Sequence, residues 1–426
     1  MASEPIDAGT LPGSQSWTGY QKLLVGLVAS TVVLDGADNQ LLGIAIPALM
    51  RDWPVSRAAF APVLASGMIG MMVGGAVAGL IGDRLGRKRA LLGSVTVFGV
   101  LTLAAAAADG PFTLAVLRFL AGLGLGGAMP NAAALAAEFV PANRRAFAVT
   151  LTIVCVPVGG MLAAAVAEPV LPVLGWRALF AIGGVVPLIL AAVLIVGLPE
   201  SPVFVDAQER RVERASIRGL FAPELRRDTA GLWIAFFANL LAVYCCFNWV
   251  PAMLAGAGFG ASSSRGLLAF NLGGVAGAFA GAGVVTRFGS RLSLLSMAAA
   301  AVVTALVMAA MPIVSSAPVA AIGMLAGLGC LLNTLQIMMY SVAVHVYPIT
   351  MRATGLGWAL GAGRAGGVLS TYAGEWALAA GGSAAFFGLI AASMAAVYGG
   401  LVLVSRHIPS RRLEAGYQWP QNAAAD

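Results

Sequence analysis

The chain has 426 residues, 59% of them hydrophobic and 10% charged, with a formal net charge of +7. Soluble domains average roughly 25% charged and 45–50% apolar residues, and disorder needs polarity and high net charge, so both are excluded. A mean hydropathy of +0.89 and apolar blocks such as Phe60 to Ile81 describe a polytopic helical membrane protein, because a helix of ~20 apolar residues spans the ~30 Å hydrocarbon core.

In chain order, residues 1–16 are polar and hold no apolar stretch, so no cleavable signal peptide is expected and the first helix directs its own insertion. Twelve spans follow, at 19–49, 58–81, 90–108, 112–139, 146–167, 177–198, 229–254, 264–286, 291–312, 318–346, 353–379 and 383–405. A charged stretch, Glu200 to Asp228, interrupts them after the sixth. The expected organisation is an N-terminal tail at 1–18, a six-helix half at 19–198, a linker at 199–228, a second half at 229–405 and a C-terminal tail at 406–426.

Loop charge orients the spans. Assigning alternate loops to one side collects nineteen of the 25 Lys and Arg there, including Arg84, Arg87, Lys88 and Arg89, the linker arginines and Arg411 and Arg412. The opposite loops hold Arg51, Arg57, Arg177 and Arg265. Both termini and the linker are therefore expected in the cytoplasm, in the inner membrane of a bacterium. The basic excess belongs to topology, so no nucleic-acid partner is expected.

The 54 glycines carry a second signal. Helices associate in lipid through small residues every fourth position. Gly70/Gly74 and Gly75/Gly79 in span 2, Gly273/Gly277/Gly281 in span 8 and Gly357/Gly361 in span 11 predict backbone-to-backbone crossings along those spans. Two matches to a dinucleotide fingerprint, at Gly122/Gly124/Gly127 and Gly361/Gly363/Gly366, lie inside spans. They lack the strand and the βαβ unit that the nucleotide reading requires.

A charge near mid-bilayer costs ~2.5–3.5 kcal/mol or more, so intramembrane charges demand a reason. Span 1 carries Asp35 and Asp38, span 4 Arg118 and span 11 Arg364, with Glu138 and Glu375 near span ends. At ~1.5 Å per residue, Asp38 and Arg118 lie ~10–16 Å below the outer surface and can pair. Arg364 lies ~17 Å from the cytoplasmic side, near the midplane. Asp35 and Asp38 share a helix face and cannot both ionise cheaply, which makes Asp35 the expected proton carrier if Arg118 holds Asp38 ionised. The four charges sum to zero, which suits a fixed neutral set or, more sharply, a site admitting an anion and a proton.

Polar residues of the second half fit a cavity lining: Asn239, Tyr244, Asn248 and Trp249 in span 7, Asn271 in span 8, and Asn333, Gln336 and Tyr340 in span 10. The last three recur at i, i+3 and i+7 and predict one polar stripe. The four cysteines have no CxxC spacing, and the two histidines, His345 and His407, pair with no ligand at metal-binding spacing. No metal, no cofactor and no enzyme activity are expected.

The loop after span 2 reads Gly79-Leu-Ile-Gly-Asp83-Arg84-Leu-Gly86-Arg87-Lys88 and resembles the signature of the major facilitator superfamily. Arg118-x-x-x-Gly122-x-Gly124 and Leu198-Pro199-Glu200-Ser201-Pro202 are similar to two further motifs of that family. The loop after span 8, Thr286-Arg287-Phe-Gly289-Ser-Arg291, is a degraded copy without the acid. Within the superfamily, Asp35-Gly36-Ala37-Asp38, Pro130-Asn131 with Glu138, and Met351-Arg352 leading to Gly363-Arg364 resemble the aromatic acid:proton symporters.

The resemblance implies an all-α major facilitator fold, twelve helices in two six-helix halves, importing benzoates, hydroxybenzoates or phenylpropionates by alternating access. The proton gradient would drive it, and the partners would be a small aromatic carboxylate, protons and the lipid bilayer around a monomer. Proton coupling would fall to Asp35, Asp38 and Glu138. Substrate binding would fall to Arg118, Arg364, Asn333, Gln336, Tyr340, Asn248 and Trp249, with Arg364 on the carboxylate. Gating would fall to Asp83, Arg84, Gly86, Arg87 and Arg352. Two alternatives stay open: a drug or organic-anion:proton antiporter, hinted at by Val156-Pro157-Val158-Gly159-Gly160, and a non-transporting chemoreceptor.

Overall fold

A segment in lipid must satisfy its own backbone hydrogen bonds, which a helix does and an open strand does not. In the computed structural model, which describes residues 18–140, 145–200, 220–311, 313, 318–348 and 351–409, the elements are helical. Ten continuous helices among the described residues are long and apolar enough to cross a membrane. They are α1 (Gly19–Asp52), α2 (Phe60–Leu85), α3 (Arg87–Ala105), α4 (Pro111–Glu138), the helix Arg145–Gly197, α7 (Arg226–Leu254), α8 (Ser263–Phe288), α9 (Ser290–Ala310), α10 (Pro318–Val346) and the helix Arg352–Leu403.

Two of the ten are hairpins. Arg145–Gly197 would be about 80 Å long if straight, but Gly175 takes φ 73° and breaks it into α5 (145–174) and α6 (176–197). The arms pass α1 in opposite directions. Gly159 packs on Val33, Trp176 donates to Asp52 at the far end of α1, and Gly197 returns to Leu27. Arg352–Leu403 breaks likewise at Gly381 and Gly382, the latter at φ 59°, into α11 (352–380) and α12 (383–403). Along α7, α11 rises from Gly363 beside Leu240 to Gly374 beside Trp249, and α12 descends to Gly400 beside Gly231. Among the described residues the result is twelve spanning helices in two sets of six, α1–α6 and α7–α12.

Glycine sets the crossings, but at partly different positions from those expected. On α2, Gly70 and Gly74 abut the backbone of α4 at Phe119 and Leu123, and Gly122 and Gly126 of α4 answer at Gly67 and Met71. Gly273 and Gly277 of α8 meet α10 at Ala326 and Cys330. A side chain on any of these would collide with backbone, so the fingerprint glycine Gly122 is a packing residue. On α11 the expected pair is displaced: Gly357 and Gly361 have nothing within 4 Å of an added Cβ. Gly363, Gly366 and Gly374 make the crossing with α7 instead. Spacing alone does not say which small-residue face meets a neighbour, because lipid accepts the same face.

One face of the bundle, here the near face, carries the start of α1 and the end of α12; the far face carries the turns at Asp52 and Gly175. Several side-chain hydrogen bonds and ion pairs between the two halves lie in the middle or towards the far face. Gln40 of α1 and Asn271 of α8, both fully buried, exchange amide hydrogen bonds of 3.1 and 2.6 Å. Gly160 leaves room for that amide, since a Cβ there would strike the Gln40 side chain. Further out, the Arg265 guanidinium donates to Glu168 at 2.7 Å, and Arg57 lies 3.8 Å from Glu375.

Candidate functional site

The Asp35-Gly36-Ala37-Asp38 turn of α1 sits against α5. A Cβ on Gly36 would strike the Val156 backbone, and Gly159 fits against Val33 and Ala37. This contact fixes the rotation of α1 and carries both carboxylates inward, where Asp35 is 4% and Asp38 1% exposed.

Their surroundings differ. Both Asp38 carboxylate oxygens are engaged: Thr102 of α3 donates to Oδ1 at 2.6 Å, and Arg118 of α4 donates to Oδ2 at 2.9 Å and to the Asp38 carbonyl at 3.2 Å. The pairing expected from depth is present, and both members are buried. Thr102 was not legible as a partner, because a hydroxyl in an apolar helix ordinarily bonds its own backbone. Asp35 keeps Oδ1 buried without a hydrogen-bond partner, and Arg118 keeps Nη1 likewise. Burying such a group unsatisfied is costly, so the arrangement is poised for a proton or a ligand.

Arg364 of α11 faces the same region. Its Nη1 donates to the Met71 carbonyl of α2 across the inter-half seam at 2.9 Å, and Gly75 one turn on leaves space for the guanidinium. Asp35, Tyr244 and Tyr340 lie within its electrostatic reach, and Tyr244 lies within that of Asp35. A planar guanidinium held by one carbonyl keeps donors for a bidentate carboxylate contact.

The remaining polar residues divide. Asn239 donates to Gln336 Oε1 at 2.7 Å, and Tyr340 packs edge-on against Phe236 with centroids 5.5 Å apart. Asn333, expected on the same stripe, turns towards α8: its amide donates to the Gly329 carbonyl at 3.0 Å and fills the space above Gly274. Trp249 is fully buried against Gly374, with its indole N–H without a hydrogen-bond partner. Asn248 beside it is fully buried, with neither amide atom bonded.

Glu138 lies away from this cluster, at the end of α4, with Arg87 Nε 3.2 Å from its carboxylate. There it joins a near-face assembly. Gly86 takes φ 101° between α2 and α3, and the Glu200 carboxylate after α6 occupies the space a Cβ on Gly86 would need. Glu200 accepts the Lys88 backbone N–H at 2.9 Å, capping the α3 N-terminus, where a carboxylate also complements the helix dipole. The side chains of Asp83, Arg84 and Arg352 lie outside the described residues.

Residues 28–371 match the family described as the Major Facilitator Superfamily. The chain belongs to the major facilitator superfamily. It is 32% identical to the gallate transporter of Pseudomonas putida, covering 88% of this chain and 90% of that one. It is 33% identical to the 4-hydroxybenzoate transporter of Pseudomonas aeruginosa, covering 89% and 91%. The 3-(3-hydroxy-phenyl)propionate transporter of Escherichia coli is 34% identical over 81% of this chain and 84% of its own. Among solved structures, a D-xylose-proton symporter superposes with a TM-score of 0.69 at 17% identity, over 92% of this chain and 99% of that one. An inward-open xylose transporter from Escherichia coli reaches 0.72 at 16%, over 94% and 100%. These last two establish the shared fold.

Proposed function

We propose that this major facilitator is a proton-coupled symporter that imports small aromatic carboxylates by alternating access, and is not an enzyme. One observation carries the reading: both Asp38 oxygens are engaged by Thr102 and Arg118, while Asp35 Oδ1 is buried without a partner and Arg364 is held by one carbonyl. Arg364 then receives the substrate carboxylate, and Asp35 carries the proton that keeps the loaded site near neutral. The relatives named for gallate, 4-hydroxybenzoate and hydroxyphenylpropionate support the substrate class.

The loop-charge bias supports a bacterial inner-membrane protein with the near face cytoplasmic, the tails at 1–18 and 406–426 and the linker at 199–228 all on that side, working as a monomer. Glu138, Arg87, Gly86 and Glu200, with Asp83, Arg84 and Arg352, then belong to the cytoplasmic gate. The antiporter reading loses its motivating motif, because Gly159 and Gly160 are used in seating α1 and Gln40.

Uptake of labelled 4-hydroxybenzoate into proteoliposomes, with and without an inward proton gradient, tests the reading. Accumulation that requires the gradient supports it; accumulation driven by outward proton flow contradicts it. Arg364→Lys, which keeps the charge and loses the fork, is expected to raise the half-saturation constant at least tenfold, and unchanged kinetics would remove Arg364 from the site.

A further inference from the structure

Asn248 is singular among the described residues: both polar atoms of its side chain are buried and neither has a hydrogen-bond partner. Leaving a buried amide group without its hydrogen bonds is costly, and such groups in a native structure call for an explanation. Asn248 stands on α7 at the seam between the halves, where Gly43 of α1 lies within 3 Å of its α-carbon for an added Cβ. Transporters of this architecture hold their substrates between the two halves.

Its position along α7 relates it to the carboxylate end of the site. Tyr244, four residues earlier, packs over Gly367, one turn beyond Arg364 on α11, and lies within electrostatic reach of Arg364 and Asp35. Residues four apart share a helix face and are separated by roughly 6 Å along the axis. That rise is comparable with the distance from a carboxylate to the para substituent across one benzene ring. An amide offers one acceptor and a two-proton donor, which together match a phenolic hydroxyl, a group that donates and accepts at once. Benzoate offers nothing to either atom.

We infer that Asn248 reads the ring hydroxyl of a para-hydroxylated aromatic carboxylate whose carboxylate rests on Arg364, so that the transporter selects hydroxybenzoates over benzoate. Tyr244 forms the wall between the two ends: its ring lies 5.7 Å from that of Phe247, edge-on, and packs over Gly367. The inference rests on the proposed function and adds to it the identity of the specificity residue and the preferred substitution of the ring. An aromatic carboxylate lacking the hydroxyl leaves the amide buried and unpaired, a defect that polar sites punish heavily.

The test is a pair of uptake titrations in proteoliposomes, with 4-hydroxybenzoate and benzoate as the probes. The wild type is expected to favour 4-hydroxybenzoate at least tenfold in the ratio of half-saturation constants. Asn248→Leu, close in volume and without polar atoms, is expected to bring that ratio to within threefold of unity, chiefly by raising the half-saturation constant for 4-hydroxybenzoate. Asn248→Ala serves if the leucine variant does not insert, and Asn248→Ser should retain part of the preference. A ratio unchanged in the variants, or a wild type indifferent to the hydroxyl, overturns the inference while leaving aromatic carboxylate transport standing. Uptake of neither probe by the wild type overturns the function and the inference together.

Discussion

Asp38 and Asp35 lie one helical turn apart, and their neighbours divide the work between them. Asp38 has lost its freedom to Thr102 and Arg118. Removing one member of a buried ion pair strands the other, at a cost of ~3–5 kcal/mol. Asp38→Asn and Arg118→Gln are each expected to lower the melting temperature in detergent by several degrees, and the double variant should recover part of the loss. Strictly additive losses would mean that the pair does not act as a unit. The sequence reading reached this pair through depth arithmetic, because charges in lipid are few and must find each other. It could not separate Asn248 from Asn333, since helical periodicity places both on buried faces. Only the packing reveals that Asn333 is spent on the Gly329 carbonyl while Asn248 is unbonded.

At the level of helices, glycine is informative only where a neighbour approaches. Gly36→Ala and Gly159→Ala push a methyl into the backbone of the opposing helix and should destabilise by ~1–3 kcal/mol or abolish insertion. Gly357→Ala and Gly361→Ala meet nothing within 4 Å and should be neutral or stabilising by up to ~1 kcal/mol, through better helix propensity. Equal losses at all four sites, read as melting temperatures, would refute the crossings described. The near-face loop belongs to the same scale. Gly86 combines a left-handed backbone with the Glu200 carboxylate in the space of its missing side chain, which explains a glycine in that motif better than loop flexibility does. Glu200→Gln weakens the α3 cap, and Asp83→Asn alters the same loop. Both variants should slow turnover while equilibrium substrate binding changes by less than about threefold, or ~0.7 kcal/mol. A large loss of affinity with normal turnover of bound substrate would move these residues from the gate to the site. The cap itself was visible in the sequence only as a motif, since no local rule joins residue 88 to a carboxylate 112 positions later.

Across the whole molecule, the twelve helices and their two-fold division were legible because lipid forces apolar runs of fixed length, and the Gly175 and Gly381–Gly382 breaks fall where the spans were divided. The contacts between halves were not legible, as they depend on which faces meet. Gln40 and Asn271, with the Glu168–Arg265 and Arg57–Glu375 pairs, tie the halves at the middle and towards the far face. Gln40→Leu leaves the Asn271 amide without that partner in this arrangement, and should shift the population towards a far-open form. Spin labels on Arg51→Cys and Gly256→Cys, which stand on different halves at that face, should report a longer distance in the variant; an unchanged distance distribution would show that the amide pair does not hold this closure.

Coupling is where the residue and the molecule meet. One proton carried with one monoanion is electroneutral, so accumulation should follow the pH gradient at ~1.4 kcal/mol per unit, whereas a second proton would add ~2.3 kcal/mol per 100 mV of membrane potential. The assignment of the proton to Asp35 is the centre of the account, and Asp35→Asn in proteoliposomes tests it most directly. The variant is expected to lose pH-driven accumulation of 4-hydroxybenzoate while still exchanging internal for external substrate. Full gradient-driven accumulation in Asp35→Asn would contradict the account.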